Sequence, residues 1–281
     1  MSLATNAEHN QNDHSAKKNK DARMSFPRMA LATLMSFTAA SALQADEITK
    51  LRVATEGAYP PFNFTGSDGV LTGFDVEIGN ALCAEMKVEC EWGTQEWDGM
   101  IPGLVAGKYD AIIASMSITE ERLERISFSR SYYNTPSTIA VPRDSPVTEI
   151  TPEALEGLLI GAQGGTTHSV VAEEVYADAD VALYPTSEEY KLDIENGRLD
   201  AVIDDLGVLQ SWVDSEAGSC CKIIGSLPIQ PELHGQGIGV GVRKGQEELA
   251  DRFSQAIVAI RENGTYKKIN DKYFSQDAFG E

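Results

Sequence analysis

The chain has 281 residues, 42% of them hydrophobic, the composition of an ordinary globular protein long enough for two domains. Its 43 acidic side chains outnumber 23 basic ones and leave a formal net charge of -20. Such a balance argues against nucleic acid as a partner, because phosphate binding needs a basic surface, and acts first as a solubilising coat.

Residues 1–23 are polar, carry Lys17, Lys18, Lys20 and Arg23, and show no apolar periodicity. Arg28 then precedes the apolar run Met29 to Ala40, which is too short to span a bilayer. Small residues follow, and the first charged pair is Asp46-Glu47. This layout predicts a secretory signal peptide and N-terminal extension over residues 1–45, with cleavage after Ala42 or Ala45 and Met24 as an alternative start. The mature protein is then expected to be soluble and exported.

From Lys50 onward, strands and helices alternate. Leu51 to Ala54 reads as a strand, followed by a Gly/Pro-rich loop through Tyr59 to Phe62. Phe74, Ile78, Leu82 and Met86 recur every four residues and predict a helix with one buried stripe, with Asp75 and Glu77 in its first turn favouring the positive end of the helix dipole. Val88 to Trp92 is the next strand, Trp97 to Val105 a helix that Pro102 kinks or shortens, and Tyr109 to Ala114 a strand. After Pro136 the pattern restarts with a strand at Thr138 to Val141 and a helix start at Thr151-Pro152-Glu153. A strand at Leu158 to Ala162 leads into Gln163-Gly164-Gly165-Thr166-Thr167-His168, which opens another helix. Strands at Val181 to Tyr184 and Ala201 to Ile203 alternate with helices at Ser187 to Asn196 and Leu206 to Val213. The chain closes with a strand at Gly237 to Val242 and helices at Glu247 to Arg261 and Thr265 to Tyr273. This alternation predicts an α/β protein of two lobes, each a mostly parallel sheet flanked by helices, with ligands at the carboxyl ends of the strands. Lobe 1 is expected over 46–135 plus 236–281 and lobe 2, inserted, over 136–235.

Export makes the cysteines legible. Cys83, late on a helix, and Cys90, in the next strand, are placed to form a disulfide, worth roughly 2 to 3 kcal/mol in the chain-entropy model. No histidine or second close cysteine pair surrounds them, which argues against zinc. For the adjacent Cys220 and Cys221, a vicinal disulfide, two free thiols and an intermolecular link all stay open.

The stretch most suggestive of function runs from Ala111 to Arg122. A buried-strand pattern stops at Ser115 and Ser117, then passes a Thr119 cap into an acidic helix start carrying Arg122. Hydroxyls and fresh backbone N–H groups at a strand's end suit a small anion, and a guanidinium adds a two-pronged donor that matches a carboxylate. No nucleophile–base pair accompanies them, so the stretch is built to hold an acid group.

Gly73-Phe74-Asp75-Val76-Glu77-Ile78, followed by Asn80-Ala81-Leu82-Cys83, resembles the signature of bacterial periplasmic solute-binding proteins for polar amino acids, solute-binding protein family 3. The resemblance spans about residues 48–275 and is closest to the lysine/arginine/ornithine, histidine, octopine and nopaline receptors. These share the cysteine spacing and elements matching Trp97-Asp98-Gly99, Ser115 to Arg122, and Gly197 to Ala201. The resemblance implies that two lobes close on one amino acid. Arg122 would bind the α-carboxylate, assisted by Ser117 and Thr166 at helix starts, with Ala114, Ser115, Gly164 and Thr167 in the same loops. Asp205, rather than the neighbouring Asp204, would receive the α-ammonium group, and it can cap a helix as well. Glu56 stands where basic-amino-acid receptors carry an aspartate for the ligand's cationic end, and Tyr59 and Trp97 would sandwich the ligand's stem or guanidinium.

Ala114, Gly165 and Thr167 depart from the residues usual in the lysine/arginine/ornithine group, and His168 is read as a loop-surface residue. The function implied is the periplasmic substrate-binding component of an amino-acid ABC transporter, for a basic L-amino acid. It would work as a monomer, with membrane permease subunits as partners and without cofactor or metal. The alternatives are a receptor for an opine or a glutamine-like amino acid, and an enzyme on the same scaffold resembling cyclohexadienyl dehydratases.

Overall fold

The computed structural model describes residues 49–280, so the expected leader lies outside the described residues. Strand β1 (Lys50–Thr55) turns Leu51 and Val53 to one side and Ala54 to the other, and all three are buried. A strand covered on both faces has this continuous apolar reading. A small hairpin sheet follows from β2 (Ala58–Tyr59), β3 (Asn63–Thr65) and β4 (Leu71–Thr72). Helix α1 (Phe74–Glu85) buries Phe74, Ile78 and Leu82, the predicted stripe. Gly73 enters it at φ 120°, where a Cβ would lie 2.3 Å from the Phe62 carbonyl oxygen, so only glycine fits.

Next come β5 (Glu89–Thr94), a 3₁₀ turn at Trp97–Gly99 that runs into α2 (Met100–Val105), β6 (Ala111–Ile112), α3 (Glu120–Arg125) and β7 (Ile126–Tyr133). Pro102 is accommodated in the first turn of α2, and the helix is short, as its proline demands. The chain then crosses to a second sheet. This part comprises β8 (Ser137–Pro142), α4 (Pro152–Leu155), β9 (Leu159–Gln163), α5 (Thr167–Val175) and β10 (Asp180–Tyr184). It continues through α6 (Ser187–Glu195), β11 (Ala201–Asp205), α7 (Leu206–Val213), β12 (Cys221–Ser226) and α8 (Pro231–His234). The chain returns through β13 (Ile238–Arg243) and ends in α9 (Glu247–Glu262) and α10 (Thr265–Tyr273).

The two sheets have strand orders β5-β1-β6-β13-β7 and β10-β9-β11-β8-β12. In each, four strands run one way, and one, β13 or β8, runs against both its neighbours. These two are the strands that enter a sheet straight after the chain has crossed between lobes. A parallel pairing needs a helical crossover first, and here none intervenes within the sheet being entered. Apolar clusters cover both faces of each sheet. Cys83 and Cys90 form a disulfide between α1 and β5, while Cys220 and Cys221 are free thiols. Among the described residues no helix is long and apolar enough to cross a membrane.

Candidate functional site

The carboxyl ends of β1, β6 and β9 converge between the lobes, where an α/β sheet offers loop backbone and helix starts to a ligand. They enclose a cavity of about 20 Å³ whose wall contains Glu56, Tyr59, Trp97, Ala114, Ser115, Ser117, Arg122, Thr166 and Thr167, all named from sequence, together with Gln163 and His168. That volume suits about one water. A larger cavity of about 420 Å³ adjoins it and shares Trp97, Arg122, Thr166 and Thr167.

Arg122 sits on α3, whose Thr119 cap accepts the Arg122 backbone N–H. Only 9% exposed, its guanidinium donates from Nη1 to the Ser117 carbonyl (2.9 Å) and from Nη2 to the Gly165 carbonyl (3.0 Å). It lies over the Trp97 ring at 5.3 Å, and the Trp97 indole N–H donates to the same Gly165 oxygen at 3.1 Å. Gly165 reaches this position at φ 68°, a conformation that favours glycine. Burial pulls the guanidinium pKa down to about 10, although Glu121 opposes the shift. Among the described residues, no carboxylate lies within ion-pair distance of it. A buried cation held by carbonyl dipoles and an aromatic face favours an anion beside it.

The opposite wall is acidic. Glu56, in the loop after β1, accepts a hydrogen bond from Gln163 Nε2 at 2.6 Å. Burial pushes its carboxyl up to about 7, the Gln163 bond works against the shift, and the charges of Asp204 and Asp98 add to it. Tyr59 is buried, stacks on Phe62 and donates its hydroxyl to Asp204. Asp204 also accepts from Tyr190 and lies 3.4 Å from His168 Nε2. Ser117 Oγ meets Thr167 Oγ1 at 3.2 Å. Bonds from Arg122, Trp97, Glu56, Tyr59 and Ser117 therefore all reach from elements of the first sheet to elements of the second.

The structure places four of these residues differently from, or more finely than, the sequence reading. His168, read as a loop-surface residue, is a wall residue with a side chain only 14% exposed. Its Nδ1 lies 2.8 Å from Ser137 Oγ, and burial lowers its pKa. Gly164 and Asp205 are not part of the cavity wall. Gly164 donates its N–H to the Tyr184 carbonyl, which holds it against the end of β10. Asp205 caps α7 through the Gly207 N–H (2.6 Å) and accepts from Thr135; β11 turns successive side chains to opposite faces, so Asp204 meets Tyr59 and His168 instead. Burial pushes the Asp205 carboxyl up to about 7, opposed by Thr135 and reinforced by Asp204. Trp97 stacks on the protein's own Arg122, so its indole is one wall of the guanidinium's slot. Sequence reasoning missed Gln163; its position at the end of a predicted strand was the available signal, and its bond to Glu56 appears only in the fold.

Comparison with known proteins gives the same architecture a family. The model of the bacterial extracellular solute-binding proteins, family 3, matches residues 51–276. The L-arginine-binding protein of Pseudomonas aeruginosa is 43% identical over 234 residues, covering 82% of this chain and 90% of that one. The lysine/arginine/ornithine-binding periplasmic protein of Escherichia coli is 33% identical over 256 residues, covering 90% and 98%. The solved structure of an ancestral arginine-binding protein bound to arginine superimposes with a TM-score of 0.74 at 33% identity, covering 81% of this chain and 99% of that one. The chain thus belongs to the bacterial extracellular solute-binding proteins of family 3.

Proposed function

We propose that this protein is the periplasmic substrate-binding component of an amino-acid ABC transporter. It captures a basic L-amino acid, of the arginine, lysine, ornithine or histidine type, by closing two lobes on it, and presents the closed form to membrane permease subunits. The lobes are residues 46–135 with 236–281 and residues 136–235, and residues 1–45 serve export. The observation that carries this reading is the separation of charge: a buried Arg122 with no carboxylate partner among the described residues at one side of the cavity, and Glu56, pushed up to about 7 by burial, at the other. A basic amino acid is the complement of that pattern. Its α-carboxylate meets Arg122 with the Ser117 and Thr166 loops, its α-ammonium relieves Asp205, and its side-chain cation relieves Glu56.

The cavity is too small for an amino acid as it stands, so entry requires the lobes to part, with ligand bonds replacing the direct bonds between them. Calorimetric titration with arginine, lysine, ornithine, histidine, glutamine and octopine tests the reading. Micromolar or tighter binding of a cationic amino acid supports it, and a preference for glutamine or an acidic amino acid contradicts it.

One observation favours a second reading. A Glu56 carboxyl titrating near neutrality has the acidity of a general acid, which an enzyme resembling cyclohexadienyl dehydratases needs. Turnover of prephenate or arogenate by the purified protein would decide for that reading.

A further inference from the structure

Asp75 opens α1 but does not line the cavity. An acid in a first helical turn favours the helix dipole even when exposed. Asp75 is 0% exposed, a burial the dipole does not require. Its oxygens accept the Tyr132 hydroxyl (2.7 Å), the Asn63 amide (2.8 Å) and the Ser115 hydroxyl (2.9 Å). Three donors from three segments therefore converge on one buried carboxylate.

Ser115 has a φ of 54°. A side chain that is neither glycine, asparagine nor aspartate has no intrinsic preference for this left-handed region, so the surroundings must hold it there. The turn is consequential. It leads from Ile112, paired in the sheet with Ala54, to Ser117, which is bridged to Ile238 and whose carbonyl accepts Arg122 Nη1. A right-handed Ser115 would send the chain elsewhere and take that carbonyl and the Ser117 hydroxyl away from the guanidinium.

We propose that Asp75 is a positioning residue for the anion-holding end of the cavity: its carboxylate fixes Ser115 in the left-handed turn that delivers Ser117 to Arg122. The inference rests on the amino-acid-binding reading given above. It acts through geometry, since Asp75 touches no cavity space itself. Asparagine in its place offers one acceptor oxygen where three donors converge, whereas glycine at 115 adopts the turn without being held.

The test is a double-mutant cycle read by calorimetry with arginine and by thermal melting, on the wild type, Asp75→Asn, Ser115→Gly and the double variant. With serine at 115, Asp75→Asn should weaken arginine binding about tenfold or more; with glycine at 115 the same change should cost less than about threefold. The melting temperature should stay lowered by Asp75→Asn in both backgrounds, because the buried hub is lost in both. A purely structural role would move affinity and melting together, and an equal affinity factor in the two backgrounds would overturn the proposal. Should Asp75→Asn not fold, Ser115→Ala against Ser115→Gly decides. Alanine should bind arginine about fivefold or more weakly than glycine, and equal affinities would overturn the proposal. A wild type that bound no basic amino acid would bring down the parent reading and this one together; wild-type binding with uncoupled factors would sink the Asp75 role alone.

Discussion

The Arg122 guanidinium donates to the Gly165 carbonyl at 3.0 Å across the line between the lobes, and the Trp97 indole donates to that same oxygen. One backbone oxygen of the second lobe therefore takes donors from two side chains of the first. The cation so placed has carbonyls and an aromatic face around it but no anion at ion-pair distance among the described residues. Its position is understandable as a docking point for a carboxylate.

Arg122→Met should therefore separate binding from stability. Arginine affinity should fall at least about a hundredfold, or about 2.7 kcal/mol, because a desolvated charge-assisted pair is lost. The ligand-free melting temperature should stay level or rise, since an apolar chain replaces a buried cation with no counter-ion. Calorimetry and melting curves on the same preparations check both. A large drop in ligand-free stability would assign Arg122 a structural role instead.

Glu56→Gln should change selectivity more than general affinity. Glutamine at this position keeps a hydrogen-bonding partner for Gln163 but removes the charge. Arginine and lysine should bind roughly tenfold more weakly, while any glutamine binding should hold or improve. Titration of the variant with all three ligands reads the ratio directly.

The raised acidity constant of Glu56 has a defined sign in stability. Its folded pKa, about 7, exceeds the ordinary 4.5, so the group's stabilising contribution is complete below about pH 4.5 and is lost as pH rises through 7. Between pH 5.5 and 8 the ligand-free wild type should lose stability relative to Glu56→Gln by on the order of 1 to 3 kcal/mol. Arginine should reverse this dependence, because the ligand cation favours the ionised carboxylate, and binding near pH 7 should release protons. Melting curves against pH, and titrations in buffers of different ionisation enthalpy, measure the two effects. His168 and His234, whose pKa values burial lowers, oppose the trend in acid, so the comparison with Glu56→Gln isolates the carboxyl.

Reducing the Cys83–Cys90 bond should lower stability by roughly 2 to 3 kcal/mol and leave arginine affinity nearly unchanged. The bond ties α1 to the edge strand β5, away from the cavity wall. Melting with and without reductant, and with Cys83→Ser/Cys90→Ser, tests this. The free Cys220 and Cys221 should contribute nothing to the reductant effect.

Much of this was legible in the chain because it is local. The Phe74, Ile78, Leu82 stripe, the Thr151 cap with Pro152, and Leu206–Val213 each carry their own period or stop signal. Strand Ile126–Tyr133 does not. Its ISFSRSYY pattern is rich in serine, and it is a strand because β13 and α9 cover it, a long-range fact. The cavity divides the same way. Glu56 stands directly after β1, Ser117 lies in the loop after β6, and Arg122 lies in the first turn of α3, where the sequence places them. Gln163 and His168 look like solvated loop residues until the other lobe closes over them. Asp204 and Asp205 differ by one residue at a strand end, and one residue decides which face of the sheet a side chain meets.

In the proposed function the cavity selects a positive charge at the far end of an α-amino acid. Arginine and citrulline have nearly the same shape and differ in that charge, so parallel calorimetric titration of the wild-type protein with the two is the most direct measurement. Arginine should bind about a hundredfold or more tightly than citrulline. Equal affinities would contradict the account.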